Sequence, residues 1–435
     1  MANLLEKASI ILTPTAYDDA KVLTVIPDDE SGDFDFSRGS AATRVNAQGL
    51  VEDVQILSSN LVQNGDFSQI GSEEVTNGNF SQEGSDIIVN GDFALNSNWS
   101  GTNTIANGQL TKGSGGGLVY QGELDGTIKS YKVTIDVAEK NGVSLRLYLG
   151  GNQFNINEGV QTLYVQSGSS NTFVGFNNGA DSVINSISCV EVGQDWTLGT
   201  GWSIGDDKAI SDGTQTSSSD LTQTLSTPSG KSYKITYTIS EYTSGSIFVR
   251  LNSGNITTPQ SSVGTFTEYI SGEGGTIVSL RADADFNGSI TNISVKEVGQ
   301  DWTLGTGWSI GDGVAIGASA TGTIQQLGFL QSGEKYKLTY TILNYVSGSV
   351  RPNIGNVNGQ LQSSNGTFTE EISSLGTHFY FDGISAFNGS ITNISIIEIT
   401  DDTDLPRINY SGFTYQDSLG SELITNGDFS NGSTG

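Results

Sequence analysis

At 435 residues, with 57 glycines and only 15% charged residues, the chain has room for about three domains and too few charges for long solvated helices. Its formal net charge of −28 repels phosphate backbones and excludes nucleic acid as a partner. The lone Cys189 excludes an intrachain disulfide, and no apolar run approaches the ~18 residues of a membrane-spanning helix, so no membrane insertion is expected.

Residues 1–57 read as a small β-rich unit. Lys7 to Tyr17 and Lys21 to Pro27 are short strands, and the start carries Glu6 and only a short apolar block, Ile10 to Leu12, unlike a secretion signal. An acidic loop follows, with Asp28, Asp29, Glu30, Asp33 and Asp35. Its spacing does not match an EF-hand, so it reads as a solvated loop and not a cation site.

Residues 58–85 read as a linker with vestigial repeats. LVQNGDF ends at Phe67, VTNGNF at Phe80, IVNGDF at Phe93, and ITNGDF recurs at Phe429. Asn-Gly is a turn signal. Each copy reads as the first edge of a β module, the first two being abortive.

Three modules follow, at 86–192, 193–298 and 299–399. VGQDWTLGTGWSIGD stands at 192–206 and again, letter for letter, at 298–312. Identity of that length marks a duplicated module, longer than the 20–50 residues of a solenoid repeat. SYKVTIDV (130–137), SYKITYTI (232–239) and KYKLTYTI (335–342) alternate apolar and polar residues with period two, the pattern of half-buried strands. FNGSITNISVKEV (286–298) and FNGSITNISIIEI (387–399) close modules 2 and 3. Close-spaced strands with Gly, Ser and Asn turns predict an all-β chain of tandem antiparallel β-sandwich or jelly-roll modules.

No catalytic constellation can be assembled. The only histidine is His378, and Cys189 has no histidine partner within its module. One Cys and one His make no zinc set, and GSGGG (113–117) lacks the Lys-Ser/Thr of a phosphate loop. The chain is therefore expected to be no enzyme, and no metal is expected. The candidates are sugar-stacking aromatics: Trp99, Trp196, Trp202, Trp302 and Trp308. A Trp near the first strand of a jelly roll also commonly closes one end of the core, and duplication copies core and site together.

NGDF at the start, a Trp soon after, an SYK-type strand and a terminal apolar strand make residues 86–399 resemble galactose-binding-like carbohydrate-binding jelly rolls, in particular families 4 and 9. That resemblance implies a structural calcium and an acid in the last strand; Asn292 and Asn393 stand where the pattern has Asp, so no cofactor is expected. The strings DFDFSRGSAATRVNAQGLVEDV (33–54) and DLPRINYSG (404–412) resemble the N-terminal region of fibre or spike proteins of tailed phages infecting Bacteroidetes, including crAss-like phages. It implies a virion-surface location, other capsid or tail proteins as partners, and a homo-oligomer, commonly a trimer. With 1–57 and 400–435 as two halves of one anchoring unit, the jelly rolls are an insertion. The expected function is non-enzymatic: a virion head or tail fibre protein attaching weakly and multivalently to surface glycans. The rivals are a spacer or capsid decoration without ligand, and the N-terminal part of a depolymerase tailspike.

Overall fold

The computed structural model describes residues 57–400, apart from loop positions 142–143, 228, 253 and 273, together with short strands between Pro14 and Leu57. The acidic positions Asp28, Asp29, Glu30 and Asp33 lie outside the described residues, as do 404–412 and the final ITNGDF. The described residues are all-β, and the sheets pair antiparallel throughout.

Module 2 shows the plan. Strand Ser232–Ser244 buries Tyr233, Ile235, Tyr237 and Ile239 at 1% exposure or less, while Lys234, Thr236 and Thr238 alternate on the other side. It pairs with Gly264–Ser271 and Asn287–Val298, which continues to Lys208–Asp212 and Trp202–Gly205. A second sheet of Thr197–Leu198, Ser219–Thr227, Gly275–Ala282, Ile247–Leu251 and Asn255–Ile256 faces it. Val249, Leu251, Val278 and Leu280 fill the space between, each fully buried side chain contributing about 1.5–3 kcal/mol. Module 1 repeats this arrangement around Val133, Ile135, Leu147 and Phe176. In module 3 the long strands Lys335–Ile354 and His378–Asp401 run through both layers. They bend where their register shifts, near Asn344 (φ 52°) and Ser385–Ala386 (φ 54° and 58°).

The stretch 58–85 is not a linker with vestigial copies. It is a strap that completes the modules in reverse order. Leu57 pairs with Ile399 in module 3, Ile70–Glu73 with the last strand of module 2, and Glu83–Asp86 with the last strand of module 1. Val62 and Phe67 join the core of module 3, Val75 and Phe80 that of module 2, and Ile88 and Phe93 that of module 1. The chain therefore enters and leaves the array at one edge of module 3, where Gln55–Leu57 lies beside Ile399–Asp401.

The modules also abut. The Ser130 hydroxyl accepts the Ile204 amide and the Ser232 hydroxyl the Ile310 amide, each at 2.9 Å. A Cβ on Gly205 would stand 2.5 Å from Tyr164, and one on Gly311 2.7 Å from Tyr269, so glycine is what lets each tyrosine seat. At the corresponding positions module 3 carries Lys335 and Glu371, ion-paired at 2.6 Å, which presents charge where the other two modules present the joint.

Candidate functional site

The five tryptophans are placed by two devices. In the first, each strap copy clasps a module. Asn64, Asn77 and Asn90 adopt left-handed backbone (φ 47°, 50° and 55°), as do Phe67, Phe80 and Phe93, the conformation that Asn-Gly turns supply most cheaply. The turn carbonyls of Asn64, Asn77 and Asn90 accept the indole N–H of Trp302, Trp196 and Trp99 at 3.1, 3.1 and 3.2 Å. The Phe rings lie 5.2–5.5 Å from those indoles. Gln326, Gln223 and Gln121 each donate to and accept from one strap residue, Gln63, Thr76 or Val89, at 2.5–3.1 Å. Asn60, Glu73 and Asp86 accept the amides of Ile396, Val295 and Cys189 at 2.7–3.0 Å.

In the second device, Trp202 and Trp308 open the first sheet and lie in the core. Trp202 donates to the Ser219 carbonyl at 3.4 Å and Trp308 to the Gly322 carbonyl at 2.8 Å. Phe286 and Phe387 cover them at 6.4 and 5.6 Å.

Sugar stacking by these residues is therefore corrected. Trp196, Trp202, Trp302 and Trp308 are 1–6% exposed, so neither indole face is open to a pyranose. Trp99 is half-buried between Phe93 and Phe176. Asn292 and Asn393 have φ 53° and sit where the last strand bulges opposite Tyr237 and Tyr340. Their left-handed backbone accounts for Asn there without a metal.

Partly exposed aromatic groups lie elsewhere, on the outer faces of the second sheets. In module 1, Tyr120, Gly175 and Tyr148 lie side by side on adjacent strands. Gly175 is buried, and a Cβ there would stand 2.0 Å from the Val119 carbonyl, so glycine lets the strands approach closely between two half-buried tyrosines. Phe173 packs on Tyr120 at 4.2 Å, and the Asn171 amide donates to the Tyr148 hydroxyl at 2.5 Å. Arg146 and Asn177 form the next row. In module 3 the corresponding rows are Gln325, Tyr380 and Asn353, then Thr323, Asp382 and Arg351, with Arg351 and Asp382 paired at 3.3 Å. In module 2 they are Thr222, Ser279 and Arg250, then Asp220, Arg281 and Phe248. Flat aromatic rings beside amides, carboxylates and guanidinium groups are the chemistry that holds a sugar: ring faces take C–H, and the polar groups take hydroxyls. The period-two pattern in GVSLRLYLG, GSIFVRLNSG and GSVRPNIG held the signal, since each arginine alternates with core residues.

Other reactive groups are engaged in the fold. Burial pushes the Cys189 thiol up, away from thiolate formation. Lys112, 1% exposed, donates to the carbonyls of Gly117 and Phe176 at 2.6 and 3.0 Å, and desolvation lowers its pKa to about 8. His378 is exposed beside the Thr377 hydroxyl at 3.1 Å. Among the described residues no three His, Cys, Asp or Glu converge to hold a metal.

No protein-family model matches the chain, and no curated protein matches it. Among solved structures it is similar to the N-terminal CBM22-1–CBM22-2 tandem domain of Paenibacillus barcinonensis Xyn10C, at 10% identity and a TM-score of 0.20 over 47% of this chain and 94% of that one. It is also similar to a triple jelly roll from the turret of an archaeal virus, at 11% identity and a TM-score of 0.20 over 74% of this chain and 91% of that one. A third similarity is to a protein of Sulfolobus Turreted Icosahedral Virus, at 10% identity and a TM-score of 0.18 over 70% of this chain and 90% of that one. At these values the likenesses carry no inference about ligand or role, and the fold rests on the sheet topology above.

Proposed function

We propose that the chain is a non-enzymatic structural protein of a phage virion surface whose three jelly rolls attach weakly and together to surface glycans. The observation that supports glycan binding most directly is the pair of half-buried tyrosines Tyr120 and Tyr148 on the outer face of module 1, on either side of Gly175 and with amide and arginine neighbours. Tandem linkage turns weak sites into avidity, and the abutting joints at Tyr164 and Tyr269 hold successive faces in one repeat. The virion assignment rests on the resemblance of 33–54 and 404–412 to phage fibre proteins, crAss-like phages included, and the lectin assignment on the resemblance to families 4 and 9. In this reading the terminal unit docks on other capsid or tail proteins and the assembly is a homotrimer. The pairing of Gln55–Leu57 with Ile399–Asp401 suits an array inserted into that unit.

Binding of the full chain to a glycan panel and to bacterial cells tests this, with Tyr120→Ala/Tyr148→Ala beside it. Binding lost in the folded variant supports the reading. Absence of binding by the parent chain favours a second reading, a spacer or capsid decoration, which the burial of four tryptophans also suits.

A further inference from the structure

We infer that the outer face of module 2 is a subsite for a carboxylate-bearing sugar, a hexuronate, read by Arg250 and Arg281 with Phe248 beneath the ring. This rests on the glycan-binding reading and names the ligand class for one face. Asp220 lies on the strand Ser219–Thr227, Arg281 on Gly275–Ala282 and Arg250 on Ile247–Leu251. One oxygen of Asp220, Oδ2, accepts from both Nη2 of Arg250 and Nη1 of Arg281, each at 3.1 Å. Two guanidinium groups share one carboxylate, so the cluster keeps an uncompensated positive charge in a chain whose net charge is −28.

At two other ion clusters among the described residues the ratio is inverted. Lys129 is shared by Asp125 and Glu191, and Lys208 by Asp206 and Glu241. In module 3 the corresponding face is balanced, with Arg351 on Asp382. Asp220 fixes the two forks against the sheet, and each guanidinium retains donors, with side chains 24% and 30% exposed. The remaining oxygen of Asp220 and Nε of Arg250 are shielded from solvent and unpartnered within the fold. A planar guanidinium matches a carboxylate bidentately, and Phe248, cross-strand neighbour of Arg281, offers a half-buried ring for the sugar's C–H face.

The test is titration of the full chain with trigalacturonate and with its methyl ester, the same chain without charge. The expected result is that esterification and Arg250→Gln/Arg281→Gln each weaken binding about tenfold or more, as loss of charged hydrogen bonds does, while Lys234→Gln, which removes a charge from the opposite sheet of module 2, changes nothing. Arg250→Lys/Arg281→Lys keeps charge and fold but loses the fork, and is expected to bind trigalacturonate more weakly than the parent. Equal binding of acid and ester, an equal loss in Lys234→Gln, or binding of a sulfated galactose in place of the uronate would overturn the inference. A chain that binds neutral glycans through Tyr120 and Tyr148 but no uronate sinks this inference alone; one that binds neither sinks the glycan reading with it.

Discussion

The clasps and the outer faces descend from the same repeated module yet differ in how much they vary. At the clasps, Asn, Gly, Phe, Trp and Gln recur three times with hydrogen bonds that agree within a few tenths of an ångström. On the outer faces the central position is Gly175, Ser279 or Tyr380, and its neighbours range from tyrosine to paired ions. Repetition of sequence marks what holds each sandwich shut, since buried aromatic contacts tolerate little change. In the proposed reading, variation on a rigid scaffold is where a ligand is met.

Breaking a clasp is expected to have the largest effect. Phe80→Ala removes a ring that is 1% exposed and should cost about 3–5 kcal/mol, concentrated in module 2. Hydrogen exchange followed peptide by peptide checks this. Equal loosening of modules 1 and 3 would break the assignment of one strap copy to one module. Gly78→Ala comes next. Its Cβ would stand 2.0 Å from the Ile293 carbonyl, and the bond from the Ile293 amide to the Gly78 carbonyl, 2.8 Å, would have to open. The expected loss is about 1–3 kcal/mol, read from the urea midpoint; an unchanged midpoint would mean the close approach is not what holds the strap. Tyr120→Ala/Tyr148→Ala on the outer face should cost only about 1 kcal/mol, as half-exposed substitutions do, yet abolish glycan binding. A large stability loss would move this face into the class of the clasps.

The sandwich itself was legible in the sequence. Tyr233, Ile235, Tyr237 and Ile239 alternate, and the structure buries them on one side. The strap was not legible, because what Phe67 touches is Trp302, far along the chain. Local pattern carries no record of such a partner. NGDF signalled the turn correctly and left its destination open. The tryptophans misled for a related reason: an indole beside glycines, as in GTGW, suits a stacking platform as well as a core plug, and only the position of Phe286 or Phe387 decides. Arg250 and Arg281 were visible as residues, but their convergence on Asp220 needs three strands in register.

The smallest expected effect concerns Lys112, which only module 1 uses to brace its second sheet. Its folded pKa, lowered by desolvation to about 8 from 10.5, means that the unfolded chain holds the proton more tightly. Stability of module 1 therefore rises with pH once the folded amine begins to deprotonate. Cys189 opposes this, since its thiol is raised by burial from 9.0 and the folded state then holds the proton the unfolded state gives up. The rise therefore begins near pH 8 and amounts to about 1 kcal/mol; it levels off between roughly pH 9 and 10.5, where the two slopes cancel, and turns down only above the unfolded lysine's 10.5. Lys112→Met should remove the rise and leave the fall, measured as the module 1 unfolding midpoint at pH 7.5, 8.5 and 9.5. A rise that survives in Lys112→Met would show that another group carries it, and that the buried amine is already neutral or fully paired through Gly117 and Phe176.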